Sequence, residues 1–236
     1  MKEIVVDHEV IIEQTLSYIL AARTALKSTK RDFDIAFLPL GYHFYTGILQ
    51  ASAYSLLKNK KKIVLIFACE GDKINVVNQN IGPFLGKIWK FDKNIKGNKS
   101  VSFIDYQNSW FESIHSQLGF LRILFDIDSI IPIFVGNESN ENDFFKFISK
   151  FDIKSDFNLV FCSDLFVNNT DKVLLAKKLI NPDFVLKTKK ENNILNLFWT
   201  FVEKNGLKYC SLGYNDLYSL SGIKKDSLGY LSVVGK

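Results

Sequence analysis

The sequence is poor in cysteine, methionine and proline. Its 236 residues include three cysteines, which are widely spaced without a CxxC pair, one methionine and four prolines. An odd cysteine count without paired spacing does not make a disulfide framework, so we expect reduced thiols and a cytoplasmic protein. The amino-terminal segment carries acidic residues and no cleavage site of small residues, unlike a signal peptide. No apolar run approaches the roughly 18 residues of a membrane span, so no membrane partner is expected.

The patterns of several common enzyme classes are also missing. There is no GxGxxG, GxxxxGKS/T, GxSxG or HExxH, so nucleotide-binding, P-loop, esterase and zincin functions have no support. The 30 basic and 25 acidic residues give a net charge of +5. Basic residues cluster in short runs, such as Lys58–Lys62, which usually form solvated loops or helix ends. Because no stacking motif is interleaved with them, we expect no nucleic-acid partner, although a scaffold role for this surface stays an alternative.

Apolar runs of strand length alternate with segments of helical periodicity along the chain. This alternation predicts an α/β fold, a single-domain three-layer α/β/α sandwich over residues 1–236 with a mostly parallel central sheet. An amino-terminal helix, within residues 1–30, is expected to pack on it. The predicted strands are 35–38, 62–70, 101–106, 130–135, 157–162, 209–214 and 227–234. The predicted helices are 9–26, 48–57, 107–125, 141–150, 170–179 and 191–203.

The strand, loop and helix at residues 34–57 form the unit around which the rest of the chain is organised. Pro39 ends the strand because it has no N–H for the ladder, and we expect a tight, aromatic-rich turn that Gly47 closes. Residues 81–86 are likewise expected to form a turn. In an open α/β sheet, ligands bind at the carboxyl ends of the strands. The sequence therefore predicts a site in the loop after the first strand.

Several short segments, taken in order, resemble one family. Residues 39–47 (PLGYHFYTG) are similar to a Pro-His-Ala-Gly-Tyr-x-Tyr-Ser-Gly motif, and residues 111–121 (FESIHSQLGFL) to Glu-His-Ser-Leu-Glu-x-Gln-Leu-Pro-Phe-Leu. Residues 130–136 (IIPIFVG) resemble Ile-Val-Pro-Ile-x-Val-Gly, and residues 162–167 (CSDLFV) resemble Ser-Ser-Asp-x-x-His. These are motifs of the Memo-like family, also called AmmeMemoRadiSam system protein B. The resemblance runs from about residue 34 to the end and implies the fold of the class III extradiol (LigB-type) dioxygenases.

The family's metal ligands are not retained in this chain. The resemblance implies histidines from three segments around a metal pocket, and here those positions hold Leu40, Glu70 and Val167. No cysteine lies in residues 183–200, where the family's later ligand would fall. Leucine and valine cannot ligate a metal. We therefore expect a pseudoenzyme without a cofactor, with the former active-site cleft binding a small molecule or a peptide.

The resemblance places nine residues around that cleft, which would combine aromatic and polar side chains. They are Leu40, Tyr42, His43, Tyr45, Glu70, Glu112, His115, Asp164 and Val167. The alternative function is a metal-dependent, oxygenase-like or redox enzyme whose site has been rebuilt. Two histidines and two carboxylates suit iron, copper or zinc, and the candidate ligands are His43, Glu70, His115 and Asp164. Each of these four also has an ordinary interpretation, as a loop histidine, a polar strand end, a helix residue at the core edge and a turn cap.

Overall fold

The computed structural model describes residues 8–26, 30–40, 43–97, 99–105, 111–167, 193–216 and 227–236. Within these ranges the helices are α1 (His8–Ala25), α2 (His43–Leu56), α3 (Phe111–Leu124), α4 (Glu141–Ile148) and α5 (Asn193–Lys204). The first strands are β1 (Ile35–Leu38), β2 (Lys62–Cys69), β3 (Ile74–Val77), β4 (Ile81–Phe84), β5 (Lys87–Trp89) and β6 (Val101–Ile104). The later strands are β7 (Ser129–Gly136), β8 (Phe157–Cys162), β9 (Leu165–Val167), β10 (Tyr209–Asp216) and β11 (Ser227–Gly235).

One large sheet forms the middle layer of the molecule. Its strand order is β10-β11-β1-β8-β2-β7-β3-β6, and β9 pairs with β11 outside this path. The four central strands, β1, β8, β2 and β7, are parallel. The pairings of β9, β10 and β11 make β9 and β10 run in the same direction as this centre, whereas β3, β6 and β11 run against it. The prediction of a mostly parallel central sheet is therefore confirmed.

Helices cover both faces of this sheet, so the α/β/α sandwich is also confirmed. One core joins the sheet to α4 and α5. A second core joins the other face to α1, α2 and α3, and to the hairpin of β4 and β5. Alternate residues of β1 belong to the two cores, with Ile35 and Phe37 in the first and Ala36 and Leu38 in the second. This double burial explains why β1 reads as a continuous apolar run.

The segment at residues 81–86 is a β-hairpin, whereas the sequence predicted only a turn. Phe84 of β4 pairs with Lys87 of β5, which leaves Leu85 and Gly86 as a two-residue loop. Both loop residues have positive φ, 50° for Leu85 and 71° for Gly86. This is the conformation of the hairpin turn whose twist matches the flanking strands. Strand β3 was also missing from the prediction, because its four residues are too few to show a period.

Gly47 lies inside α2 and does not close a turn before it, so that prediction was wrong. The helix begins at His43, four residues before Gly47. A Cβ atom at Gly47 would lie 2.3 Å from Cδ2 of Tyr18 in α1 and 2.7 Å from its Cγ. Glycine therefore stands here because α1 and α2 pack closely, and its backbone freedom is not the reason.

We expect Gly47→Ala to destabilise the fold, although alanine is the better helix former. The added methyl group displaces the Tyr18 ring, and overpacking of this kind costs about 1–3 kcal/mol. The measurement is the free energy of unfolding in urea. In a Tyr18→Ala background the clash is gone, and the same substitution should stabilise α2 by up to about 1 kcal/mol. A neutral Gly47→Ala variant would contradict the close packing of α1 and α2.

The basic run Lys58–Lys62 is engaged in ion pairs within the chain, whereas the sequence predicted a solvated loop. Lys60 is buried and its ammonium contacts the carboxylate of Asp34, which precedes β1. It also donates to the backbone carbonyls of Ile153 and Phe157. Lys60 thus ties together the amino ends of β1, β2 and β8.

The other predicted strands and helices are found within a few residues of their expected bounds. Gly206 was expected to end the helix before it, and it follows α5 with φ of 59°. The Gly206 N–H donates to the carbonyl of Glu203, and the Leu207 N–H donates to that of Val202, which is a Schellman motif. The helix predicted at 170–179 lies outside the described residues. Among the described helices, none is long and apolar enough to cross a membrane.

Candidate functional site

The carboxyl ends of β1 and β8 meet at a topological switch point. After β1 the chain enters α2 on one face of the sheet, and after β8 it reaches α5 on the other face. The last residues of the two strands, Leu38 and Cys162, are paired, and the N–H of Ser163 donates to the Leu38 carbonyl at 3.1 Å. Crevices for ligands open at this kind of position in α/β sheets. The site that the sequence predicted after β1 would lie at this switch point, and it stays a prediction.

Asp164 joins the two loops that leave these strands. Its Oδ1 accepts a hydrogen bond of 2.8 Å from the backbone N–H of Leu40. The bond is partly buried, so the carboxylate holds the loop after β1 against the loop after β8. The sequence left open whether Asp164 orients a ligand or caps the turn that follows it, and this contact with a distant loop does not decide between the two roles. Leu40 itself is half-buried and packs against the second core.

Sequence reasoning did not identify Gln50 as part of this region. Its side chain is buried, and Nε2 donates to the carbonyl of Pro39 at 2.8 Å. The bond anchors α2 to the end of β1, because Pro39 is the first residue after the strand. The available signal was a polar residue among the small and apolar residues of α2, where a buried amide needs a backbone partner.

A second buried polar contact aligns α2 with α3. The hydroxyl of Tyr54 donates to Oε1 of Gln117 at 2.9 Å, and Nε2 of Gln117 donates to Oγ of Ser116 at 2.7 Å. Burial raises the pKa of Tyr54 well above its usual value, with a smaller contribution from Cys162. A neutral phenol can donate this bond, so α2 and α3 are fixed side by side. Because α2 follows β1 and α3 leads into the parallel strand β7, the first turns of both helices lie toward the carboxyl edge of the sheet.

The predicted acidic and histidine residues occupy different surroundings. Glu70 follows β2 and is exposed, and Glu112 is exposed in the first turn of α3. His115 is half-buried, and its ring packs edge-on against Phe84 of the β4–β5 hairpin, with centroids 5.5 Å apart. This contact fits the interpretation of His115 as a helix residue at the core edge.

Four of the predicted site residues fall wholly or partly outside the described part of the chain. Tyr42 is not described at all, and the side chains of His43, Tyr45 and Val167 are not described either. The backbone places His43 and Tyr45 in the first turn of α2. Val167 ends β9 and pairs with Ser227 of β11.

The contacts bring only some of the nine residues together. Leu40 and Asp164 touch directly, and Glu70 follows the carboxyl end of β2, the strand that neighbours β8. Among the side chains that the structure describes, no three His, Cys, Asp or Glu residues are grouped so that they could hold a metal ion. Glu70, His115 and Asp164 are among these described side chains, whereas the imidazole of His43 is not.

The three cysteines should react with thiol reagents in an order set by their burial. Cys162 is fully buried, and its pKa is raised well above the usual value by burial and, to a smaller extent, by Asp164. Burial also raises the pKa of half-buried Cys69, whereas Cys210 is exposed. A raised pKa leaves less reactive thiolate at neutral pH. In an iodoacetamide time course read by peptide mass, Cys210 should label first, and Cys162 roughly a hundredfold more slowly. Equal rates for Cys162 and Cys210 would contradict the buried end of β8.

Comparison with protein-family models and with curated proteins finds no match to this chain. The resemblance to the Memo-like family stays a prediction that rests on the short segments quoted for it. The fold and the switch point stand independently of it, since both follow from the strand order and the pairing of β1 with β8.

Proposed function

We propose that this chain is a Memo-like protein with a degenerate metal site, which binds a small ligand or a peptide end without catalysing a reaction. The observation that carries the proposal is the hydrogen bond between the Leu40 N–H and Asp164. Leu40 occupies a position where the resemblance implies a histidine ligand. The neighbouring carboxylate caps the backbone of that same residue. The leucine removes a metal ligand and the carboxylate holds the loop in place, and both features are consistent with a cleft that binds a ligand without a metal.

The chemistry of the cleft suits a ligand with polar and apolar parts. Leu40 offers an apolar side chain at the rim of the second core, and Asp164 supplies a half-buried carboxylate. Glu70 follows the neighbouring strand β2, and α2 begins at the same edge with His43. Small-molecule sites typically combine an apolar lining with a few polar groups that fix orientation.

A binding screen in the presence of a metal chelator tests this proposal. The midpoint of thermal unfolding would be measured in buffer containing EDTA, in the presence of each member of a panel of small carboxylates, amines and short peptides. A ligand that binds the native state raises the midpoint. The shift should be lost in Tyr42→Ala and Tyr45→Ala variants that remain folded, and kept in Lys146→Gln, a surface change on α4. A ligand shift that both tyrosine variants retain would contradict the assigned cleft.

The proposal also places the protein in the cytoplasm. Support comes from the three cysteines, which are free in the structure, and from the burial of Cys162 in the core. Free thiols persist in reducing compartments.

A further inference from the structure

A depression of about 540 Å³ lies between the ends of α4 and α5, on the opposite edge of the sheet from the proposed cleft. Its position follows from the chain path, because α4 leads into the start of β8 and α5 into the start of β10. The apolar part of its lining comprises Phe145, Ile148, Phe151, Ile153 and Phe201. The volume falls within the roughly 300–1,000 Å³ typical of small-molecule sites.

The charged residues around this depression are mainly basic. Lys150, Lys154 and Lys204 line it, against one acidic residue, Asp152. The Asp152 carboxylate is engaged in its own turn, where it accepts hydrogen bonds from the N–H groups of Lys154 and Ser155 at 3.0 and 3.2 Å. The hydroxyl of Ser155 also donates to it, and these bonds hold the pKa of Asp152 below its usual value. Three cations and one anion leave a net charge of +2 on the lining.

Lys204 and Lys150 differ in how they are engaged. The ammonium of Lys204 lies 4.1 Å from the ring centroid of Phe145, and its distance to the Glu141 carboxylate is 3.5 Å. Both members of that ion pair are about half exposed, and exposed pairs contribute little. Lys150 donates to the backbone carbonyls of Lys96 at 2.7 Å and Gly97 at 3.5 Å, and its ammonium lies 5.7 Å from the ring centroid of Phe147; none of these partners among the described residues is an anion.

Nor do the helix ends require these lysines. At the end of α5, the carbonyls of Val202 and Glu203 accept from backbone N–H groups of the following turn. At the end of α4, the carbonyls of Phe147 and Ile148 accept in the same way, from Lys150 and Phe151. The last carbonyls of a helix otherwise attract cations. These carbonyls therefore have backbone donors other than the lysine side chains.

We propose that this depression binds a small organic anion with an aromatic or aliphatic body. The apolar body would lie against Phe145 and Phe201, and the anionic group would pair with Lys150, Lys154 or Lys204. A carboxylate, a sulfonate or a phosphate shares the chemistry that the lysines recognise. This site is separate from the cleft at the carboxyl edge and does not depend on the function proposed for it.

Fluorescence titration with anilinonaphthalene sulfonate, an aromatic anion, tests this proposal on the intact protein. The neutral phenyl-naphthylamine, which lacks the sulfonate, serves as the matched probe. We expect saturable binding of the sulfonate at one site and clearly weaker binding of the neutral probe. Replacing all three lysines (Lys150→Gln, Lys154→Gln and Lys204→Gln) should weaken sulfonate binding roughly tenfold, and added salt should weaken it further in the original protein. Lys146→Gln removes a lysine of α4 that does not line the depression, so it should leave the affinity unchanged.

Three outcomes would overturn the proposal. One is equal affinity for the two probes, which would show that the lysines do not contribute to binding. Another is unchanged sulfonate affinity in the triple variant, provided that its thermal midpoint shows a folded protein. The third is displacement of the sulfonate by poly-glutamate and not by small aromatic carboxylates, which would indicate a docking surface for an acidic protein. Retained binding in a Tyr45→Ala variant separates this site from the carboxyl-edge cleft.

Discussion

Removing Asp34 should be among the most destabilising single changes in this protein. The side chains of Asp34 and Lys60 are only 15% and 7% exposed, and Asp34→Ala would leave the Lys60 ammonium buried without its counter-ion. Breaking a buried ion pair from one side costs about 3–5 kcal/mol. We expect a loss near the lower end of that range, because Lys60 keeps its bonds to the carbonyls of Ile153 and Phe157. Urea unfolding followed by circular dichroism measures it.

Asp126→Ala is the matched control, since Asp126 pairs with Lys61, the neighbour of Lys60 in the basic run Lys58–Lys62. Asp126 and Lys61 are 72% and 56% exposed, so Asp126→Ala should cost no more than about 1 kcal/mol. Adding Lys60→Met to Asp34→Ala should recover part of the lost stability, because it removes the buried charge. Similar costs for Asp34→Ala and Asp126→Ala would show that the Asp34–Lys60 pair is not buried in solution.

Truncating Phe198 should be comparably damaging, because this ring connects α5 to the middle of the sheet. Phe198 is fully buried, and its ring centroid lies 5.6 Å from that of Phe37 in β1 and 5.5 Å from that of Phe161 in β8. Phe198→Ala opens a cavity between the two layers and should cost about 3–5 kcal/mol of unfolding free energy. The same urea unfolding experiment measures this loss.

Phe103 provides the comparison for Phe198. It lies on the edge strand β6 with 36% of its surface exposed, so Phe103→Ala should cost markedly less. Should the two variants lose equal stability, α5 would not pack across β1 and β8 as the structure shows.

The features that could be predicted from the sequence are those that local composition determines. β1 and β8 are buried on both faces, so their residues form continuous apolar runs that are easy to recognise. The sequence also placed a candidate site in the loop after β1, where Pro39 ends the strand, and that placement stays a prediction. Gly206 ends α5 with a backbone conformation that glycine adopts without a steric cost.

The features that sequence reasoning missed depend on partners far along the chain. Lys60 is buried because Asp34 and the start of β8 surround it, and nothing in the basic run itself reveals this. Gly47 packs against Tyr18 of another helix, so its role was mistaken for that of a turn glycine. The partner of Asp164 is a backbone N–H 124 positions earlier. Local patterns carry no information about such pairings, which the tertiary fold decides.

Metal analysis of the purified protein, after separate incubation with iron, copper and zinc and removal of excess, tests the central claim most directly. The account predicts substoichiometric metal in every case, and the same residual content in Glu70→Ala and His115→Ala variants. A near-stoichiometric metal that disappears in either variant would contradict it. That result would make the substituted residue a ligand of a rebuilt site and the protein a candidate metalloenzyme.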